Sequence, residues 1–135
     1  MDARDQQIRN WSMLCHLSAL VGLLIPWIPL GNIIGPLIVW QAKKTEFPEI
    51  NVHGKESLNF QITISLITII LGMFLMGSFG YSAFIGNSFA MFTSGIGAAL
   101  LLGLIRLTSL ILVVVASVRA NSGELFKYPS IRFIK

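Results

Sequence analysis

The sequence predicts an all-α integral membrane protein, a single domain over residues 1–135 with four membrane-embedded helical segments and an interfacial C-terminal tail. Only 12% of its residues are charged and 54% are hydrophobic, whereas about 25% of an ordinary soluble domain is charged. Residues 17–42 and 57–105 contain no Asp, Glu, Lys, Arg or His. Both stretches exceed the roughly 18 apolar residues that indicate a transmembrane helix.

The first two segments are predicted to form a hairpin, because proline and glycine interrupt the apolar run in its middle. Residues 11–40 would give about 45 Å of unbroken helix, too long for one span and too short for two. The residues that break this run are Pro26, Pro29, Gly31, Gly35 and Pro36. We therefore predict a helix over 11–25 and a non-helical turn over 26–32. A short second arm follows over 33–44, with Asn32 as its N-cap.

The third and fourth segments are predicted over 57–77 and 95–120. Residues 59–66 alternate polar and apolar side chains as a strand does, but a lone strand in lipid leaves its backbone unpaired, so a helix is favoured. A loop is predicted over 78–95, where Gly, Ser and Phe are frequent. Basic and apolar residues alternate in 121–135, which indicates a tail lying on lipid headgroups.

The distribution of Lys and Arg predicts the orientation. Three lie in 41–56, four from Arg119 onward, two before residue 10 and none in 78–95. Because cytoplasmic loops carry the excess of basic residues, both termini are expected in the cytoplasm and the protein in the cytoplasmic membrane. The basic residues flank apolar segments and form no patch, which argues against a nucleic-acid partner.

Arg106 is the one charged residue that lies away from the ends of the predicted helical segments. An arginine at a helix centre costs about 2.5–3.5 kcal/mol on insertion scales and usually faces the protein interior or a water-filled cavity. It could contact a substrate, an ion or a partner, or it could be structural and bond polar groups near Asn32. We expect its guanidinium to point toward Gln61 and Ser65 or toward the 26–32 turn.

Two histidines are further candidates. His16, in the first segment, could relay protons or could be a buried hydrogen-bonding residue. His53 opens the segment His53-Gly54-Lys55-Glu56, which begins the third helix and places a carboxylate where the helix dipole favours it. Glu56 is expected at the surface, within an interfacial charge cluster that caps this helix.

Chemistry that an enzyme would need is missing from the sequence pattern. We find no nucleophile–base set, carboxylate pair or phosphate-binding loop, and one Cys with two His offers no metal-ligand spacing. The sequence therefore predicts a protein that is not an enzyme, without catalytic residues, metal or cofactor. Its expected partners are the lipid bilayer and either another membrane protein or further copies of the chain.

Several motifs carry a family resemblance. The segments GNIIGPLIVW, HGKESLNFQI and ANSGELFKYPSIRFIK resemble small prokaryotic membrane proteins related to the twenty-kilodalton subunit of the chloroplast inner-envelope import translocon (Tic). The resemblance covers about residues 11–135 and implies a four-helix membrane domain linked to protein translocation. It also implies a family-level role for five further residues, His53, Lys55, Glu56, Asn59 and Gln61. Together with Arg106, His16 and Asn32, these are the candidate site residues.

Two functions fit these observations. The first is a membrane-embedded interaction or assembly subunit that docks through stripes of small residues and, by resemblance, serves protein translocation. The alternative is a small oligomeric channel or transporter whose path is lined by Arg106, His16 and polar side chains. Four short segments cannot enclose a wide pore in one copy, so the first function is favoured.

Overall fold

The computed structural model describes residues 2–25 and 30–135, and all regular structure within those residues is helical. The predicted all-α class is confirmed, and residues 59–66 are helical despite their strand-like pattern. The elements in chain order are α1 (Ala3–Leu17), α2 (Leu20–Leu24), α3 (Gly31–Lys43), a 3-10 turn (Pro48–Ile50), α4 (Asn51–Phe84) and α5 (Ser88–Asn121).

The N-terminal helices begin earlier than predicted. Helix α1 starts at Ala3 instead of residue 11, because the polar segment before Trp11 is rich in good helix formers such as Ala, Arg and Gln. Helix α3 starts at Gly31, so its N-cap is Leu30 and the prediction of Asn32 as the cap was wrong. Of the turn predicted over 26–32, residues 26–29 lie outside the described residues.

Glycines let α3 pack closely on its neighbours. A Cβ atom added to Gly35 of α3 would lie 2.2 Å from the Ser18 carbonyl oxygen. A Cβ added to Gly54 of α4 would lie 2.4 Å from Cδ1 of Trp40. Both distances are far below van der Waals contact, so only glycine permits these helices to pack at their observed separation.

Helices α4 and α5 form a hairpin that is longer than predicted. The loop expected over 78–95 is wrong, since the connection comprises only residues 85–87. Three hydroxyl groups of this segment, those of Ser82, Thr93 and Ser94, bond the backbone of their own helix, as Ser82 Oγ does to the Ser78 carbonyl at 2.9 Å. This satisfies the polar side chains without a loop. Gly86 takes the left-handed conformation (φ 67°) and Asn87 caps α5 by accepting from the Ala90 amide.

Two helical stretches, Pro48–Phe84 and Ser88–Asn121, are long and apolar enough to cross a membrane. Their most apolar windows are only 6% and 11% buried inside the structure, unlike the core helices of a soluble protein. Each 34-residue helix is about 51 Å long, well beyond a hydrocarbon core of about 30 Å. Of the four predicted membrane-embedded segments, two therefore have the length to cross.

The described chain divides into two regions. The base comprises α1–α3, the tail and the ends of α4 and α5 that pack on them, that is residues 2–25, 30–65 and 106–135. The distal hairpin comprises residues 66–105. Apolar clusters lie in the base around Cys15, Trp40 and Leu58 and around Phe60, Val113 and Tyr128. In the distal hairpin large apolar side chains are bare, with Met76 78% and Phe84 89% exposed.

Candidate functional site

A chain of buried polar rings connects α1, α4 and the tail. His16 on α1 is completely buried, with its Nε2 3.3 Å from Nδ1 of His53 on α4. On its other side, His16 Nδ1 lies 3.2 Å from the hydroxyl oxygen of Tyr128. Both ring nitrogens of His16 therefore have partners, and one proton arrangement has the Tyr128 hydroxyl donate to His16, which donates to His53.

Glu56 lies one turn beyond His53 and is buried, with 4% of its surface exposed. The prediction that Glu56 sits at the surface was wrong, because the tail folds over it. Its Oε1 forms an ion pair with Nη1 of Arg132, and its Oε2 accepts from the Tyr128 amide at 3.3 Å. Two tail residues therefore compensate the cost of burying this carboxylate.

Tyr128 joins the polar and apolar parts of the base. Its ring stacks on Phe60 with centroids 4.2 Å apart, and it packs edge-on against Phe126. Burial raises the pKa of the Tyr128 phenol well above its usual range, and the Glu56 carboxylate raises it further. The phenol consequently stays protonated and keeps a donor for His16.

The next turns of α4 bind the end of the tail. Asn59 Oδ1 accepts from the amides of Phe133 (2.9 Å) and Ile134 (2.8 Å), and its Nδ2 donates to the Ile134 carbonyl at 3.0 Å. The Thr63 hydroxyl accepts from the Ile131 amide at 3.0 Å. Glu56, Asn59 and Thr63 recur at spacings of three and four along one face of α4. We call these three residues the tail clamp. The tail that the sequence places on headgroups thus has a protein partner over 128–134.

Asn32, Gln61 and Arg106 belong to a second polar group near the junction of base and distal hairpin. Asn32 Nδ2 donates to Gln61 Oε1 at 3.1 Å and to Ser65 Oγ at 3.0 Å. Arg106 lines a cavity of about 170 Å³ together with Asn32, Ser65 and Ser109. Arg106 is exposed, and of the residues that its guanidinium is predicted to approach, Ser65 and Asn32 line the same cavity whereas Gln61 does not.

Lys55 lies apart from both groups. It lines a separate surface cleft of about 360 Å³ with Trp40, Lys44 and Asn51. Trp40 Nε1 donates to Asn51 Oδ1 at 2.8 Å, and the Lys44 ammonium lies 4.9 Å from the Trp40 ring centroid. A tryptophan beside lysines is typical of side chains at a membrane–water interface.

The structure thus brings His16, His53, Glu56 and Asn59 together around the tail, and Asn32, Gln61 and Arg106 around the junction. Sequence reasoning missed Thr63, Tyr128 and Arg132, although the spacing of Glu56, Asn59 and Thr63 on one helix face was a usable signal. Within 2–25 and 30–135, no three His, Cys, Asp or Glu side chains lie close enough to hold a metal ion.

A comparison with protein families identifies the chain. The family model described as the magnetosome magnetite crystal formation protein family (MamF/MmsF) matches residues 7–134. No curated protein matches the chain, and no solved structure does. The resemblance to the Tic subunit was wrong, because this match spans the motifs on which that resemblance rested and assigns them to a different family. The expected link to protein translocation is lost with it.

Proposed function

The chain belongs to the magnetosome magnetite crystal formation (MamF/MmsF) family, and we propose that it acts in magnetite formation as a membrane-embedded assembly subunit without enzymatic activity. Its proposed location is the membrane that encloses the growing crystal. The observation that carries the proposal is the division of the molecule into a polar, interlocked base and a bare apolar hairpin. Such a division suits a protein that is anchored in a membrane and presents a fixed surface on one side of it.

The distal hairpin is the proposed membrane-crossing part. Its first arm, residues 66–84, carries no charge and is about 28 Å long, close to the thickness of the hydrocarbon core. The excess of basic residues in the base supports a cytoplasmic location for that region and for both termini. Helices α2 and α3 do not cross in this proposal, and exposed apolar side chains on α3 such as Ile34 and Ile38 suit a position against the lipid headgroups.

The bonding of the polar side chains favours assembly over transport. Glu56 and Asn59 bond the tail, and His16 lies within hydrogen-bonding distance of His53 and of Tyr128 in the tail. Asn32 bonds Gln61 and Ser65. A conducting path needs polar groups directed at water or a passing ion. Here these groups hold helices and tail in one arrangement. The base then forms a rigid docking surface for a membrane-protein partner or a second copy.

Complementation tests this role. In a magnetite-forming bacterium lacking its own copy, we expect Glu56→Gln to give smaller or fewer crystals by electron microscopy, because loss of the carboxylate charge releases Arg132 and loosens the tail. Glu124→Gln is the matched control, since Glu124 is an exposed tail carboxylate and should restore wild-type crystals. Equal amounts of each protein in the membrane fraction are required.

Hydrogen exchange of the purified variant shows whether its tail is released from the base. Normal crystal formation by a variant with a released tail would contradict the proposal. Affinity purification in mild detergent separates the two functions further. A stable complex with another magnetosome membrane protein supports the assembly role. A homo-oligomer that conducts ions in planar bilayers supports the channel alternative instead.

A further inference from the structure

The cavity beside Arg106 is lined by five polar residues and by five that are apolar or glycine. Its volume of about 170 Å³ exceeds the roughly 30 Å³ that one water occupies in the liquid. The polar residues that line it are Arg106, Asn32, Ser65, Thr68 and Ser109. They bring one positive charge and several hydroxyl groups but no carboxylate, so the cavity favours a ligand with negative charge and acceptor oxygens.

The hydroxyl groups in this cavity have protons to donate. Ser109 is completely buried, yet its Oγ has no hydrogen-bond partner among the described residues. A buried hydroxyl without a partner is costly, and a ligand oxygen in the cavity would remove that cost. The Ser65 hydroxyl accepts from Asn32, which leaves its own proton free to donate.

Arg106 completes the donor set. Its side chain has no ion pair within the described part of the chain, while the guanidinium carries five N–H donors in a planar fork that matches phosphate oxygens. The cavity also lies where the uncharged distal hairpin begins. If this hairpin crosses the bilayer, the cavity lies at the level of the lipid phosphates.

We propose that the Arg106 cavity binds a singly charged phosphate-type anion, supplied either by the phosphodiester of a membrane lipid or by free phosphate. Arg106 binds the charge, and the Ser65 and Ser109 hydroxyls donate to the remaining oxygens. This site is separate from the tail clamp, and it does not depend on the proposed role in crystal formation.

Lipid binding to the purified full chain tests the proposal. Native mass spectrometry in mild detergent would measure the affinity for phosphatidylglycerol, with phosphatidylcholine and inorganic phosphate as further probes. We expect one tightly bound phosphate group per chain. Arg106→Leu should weaken binding at least about tenfold, and Ser109→Ala about fivefold, as the loss of a charged and a neutral hydrogen bond predicts.

Arg119→Leu is the matched control, because Arg119 is exposed on the same helix, as Arg106 is, but does not line the cavity. It should leave the affinity unchanged. Arg106→Lys keeps the charge without the fork and should bind with intermediate affinity. Thermal unfolding of each variant verifies that it is folded, and Ser109→Ala provides the test if Arg106→Leu does not fold.

The probes distinguish the two sources of the anion. If inorganic phosphate displaces phosphatidylglycerol and binds alone, the site takes the free anion. If phosphatidylglycerol binds and inorganic phosphate does not compete, the site takes the lipid. An equal loss of affinity in Arg106→Leu and Arg119→Leu would show bulk electrostatic attraction and overturn the proposal, as would unchanged binding in both Arg106→Leu and Ser109→Ala.

Discussion

In the base, several polar side chains bond to groups far away in the chain, as Glu56 does to Arg132 and Asn59 to Ile134, although Thr63 and Ser117 also bond the backbone of their own helices. In the distal hairpin, hydroxyl groups bond only to the backbone of their own helix, as Ser82 does to Ser78 and Thr93 to Phe89. The first kind of bond fixes tertiary structure, whereas the second removes polarity from a surface that lipid can cover.

The glycines show the same difference. In the base, a Cβ at Gly22, Gly35 or Gly54 would overlap a neighbouring chain segment. In the distal hairpin, a Cβ at Gly72, Gly77 or Gly95 would meet nothing within 4 Å. The shape of the base is therefore determined by contacts within this chain, whereas the helical glycines Gly72, Gly77 and Gly95 of the hairpin make no close contact that fixes its packing.

Substitution of one glycine from each region should produce the largest contrast. Gly35→Ala places a methyl group against the Ser18 carbonyl and should lower the free energy of unfolding by about 3 kcal/mol. Gly77→Ala should raise it by about 0.5–1 kcal/mol, because alanine is the better helix former. Chemical denaturation in detergent measures both values. A tolerated Gly35→Ala would show that the base is more adaptable than its packing indicates.

Removal of the tail clamp's central residue should have the next largest effect. Asn59→Ala leaves two tail amides without their acceptor and should cost about 2 kcal/mol. It should also speed hydrogen exchange at Phe133 and Ile134. Asn10→Ala is the control and should change neither quantity, because within the described residues the exposed Asn10 amide bonds only to Gln6. Unchanged exchange in Asn59→Ala would mean that other contacts hold the tail.

These contacts also mark the limit of what the sequence could predict. The long apolar helices could be predicted, because the length of an apolar stretch and the positions of its flanking charges can be read from residues adjacent in the sequence. The pairing of Glu56 with Arg132 could not, since it depends on a tail folding back across the base from 76 positions away. The 78–95 segment was wrongly assigned to a loop because its Ser and Thr side chains bond their own helix, which composition does not reveal.

The smallest effect concerns a single hydroxyl group. Tyr128→Phe keeps the ring stacked on Phe60 but leaves His16 Nδ1 without its partner. We expect a loss of about 1 kcal/mol in the free energy of unfolding. Tyr81→Phe, in the distal hairpin where Tyr81 is 67% exposed, should cost nothing measurable. Equal losses of unfolding free energy in Tyr128→Phe and Tyr81→Phe would show that the Tyr128 hydroxyl stabilises the base no more than an exposed hydroxyl stabilises the hairpin.

Accessibility of single cysteines tests most directly whether the distal hairpin crosses the membrane with the base in the cytoplasm. In a Cys15→Ser background, Ile85→Cys places a thiol in the hairpin loop and Ser122→Cys places one after α5, both at exposed positions. A membrane-impermeant maleimide should label position 85 only from the non-cytoplasmic side and position 122 only from the cytoplasmic side. Labelling of both positions from the same side would contradict the account.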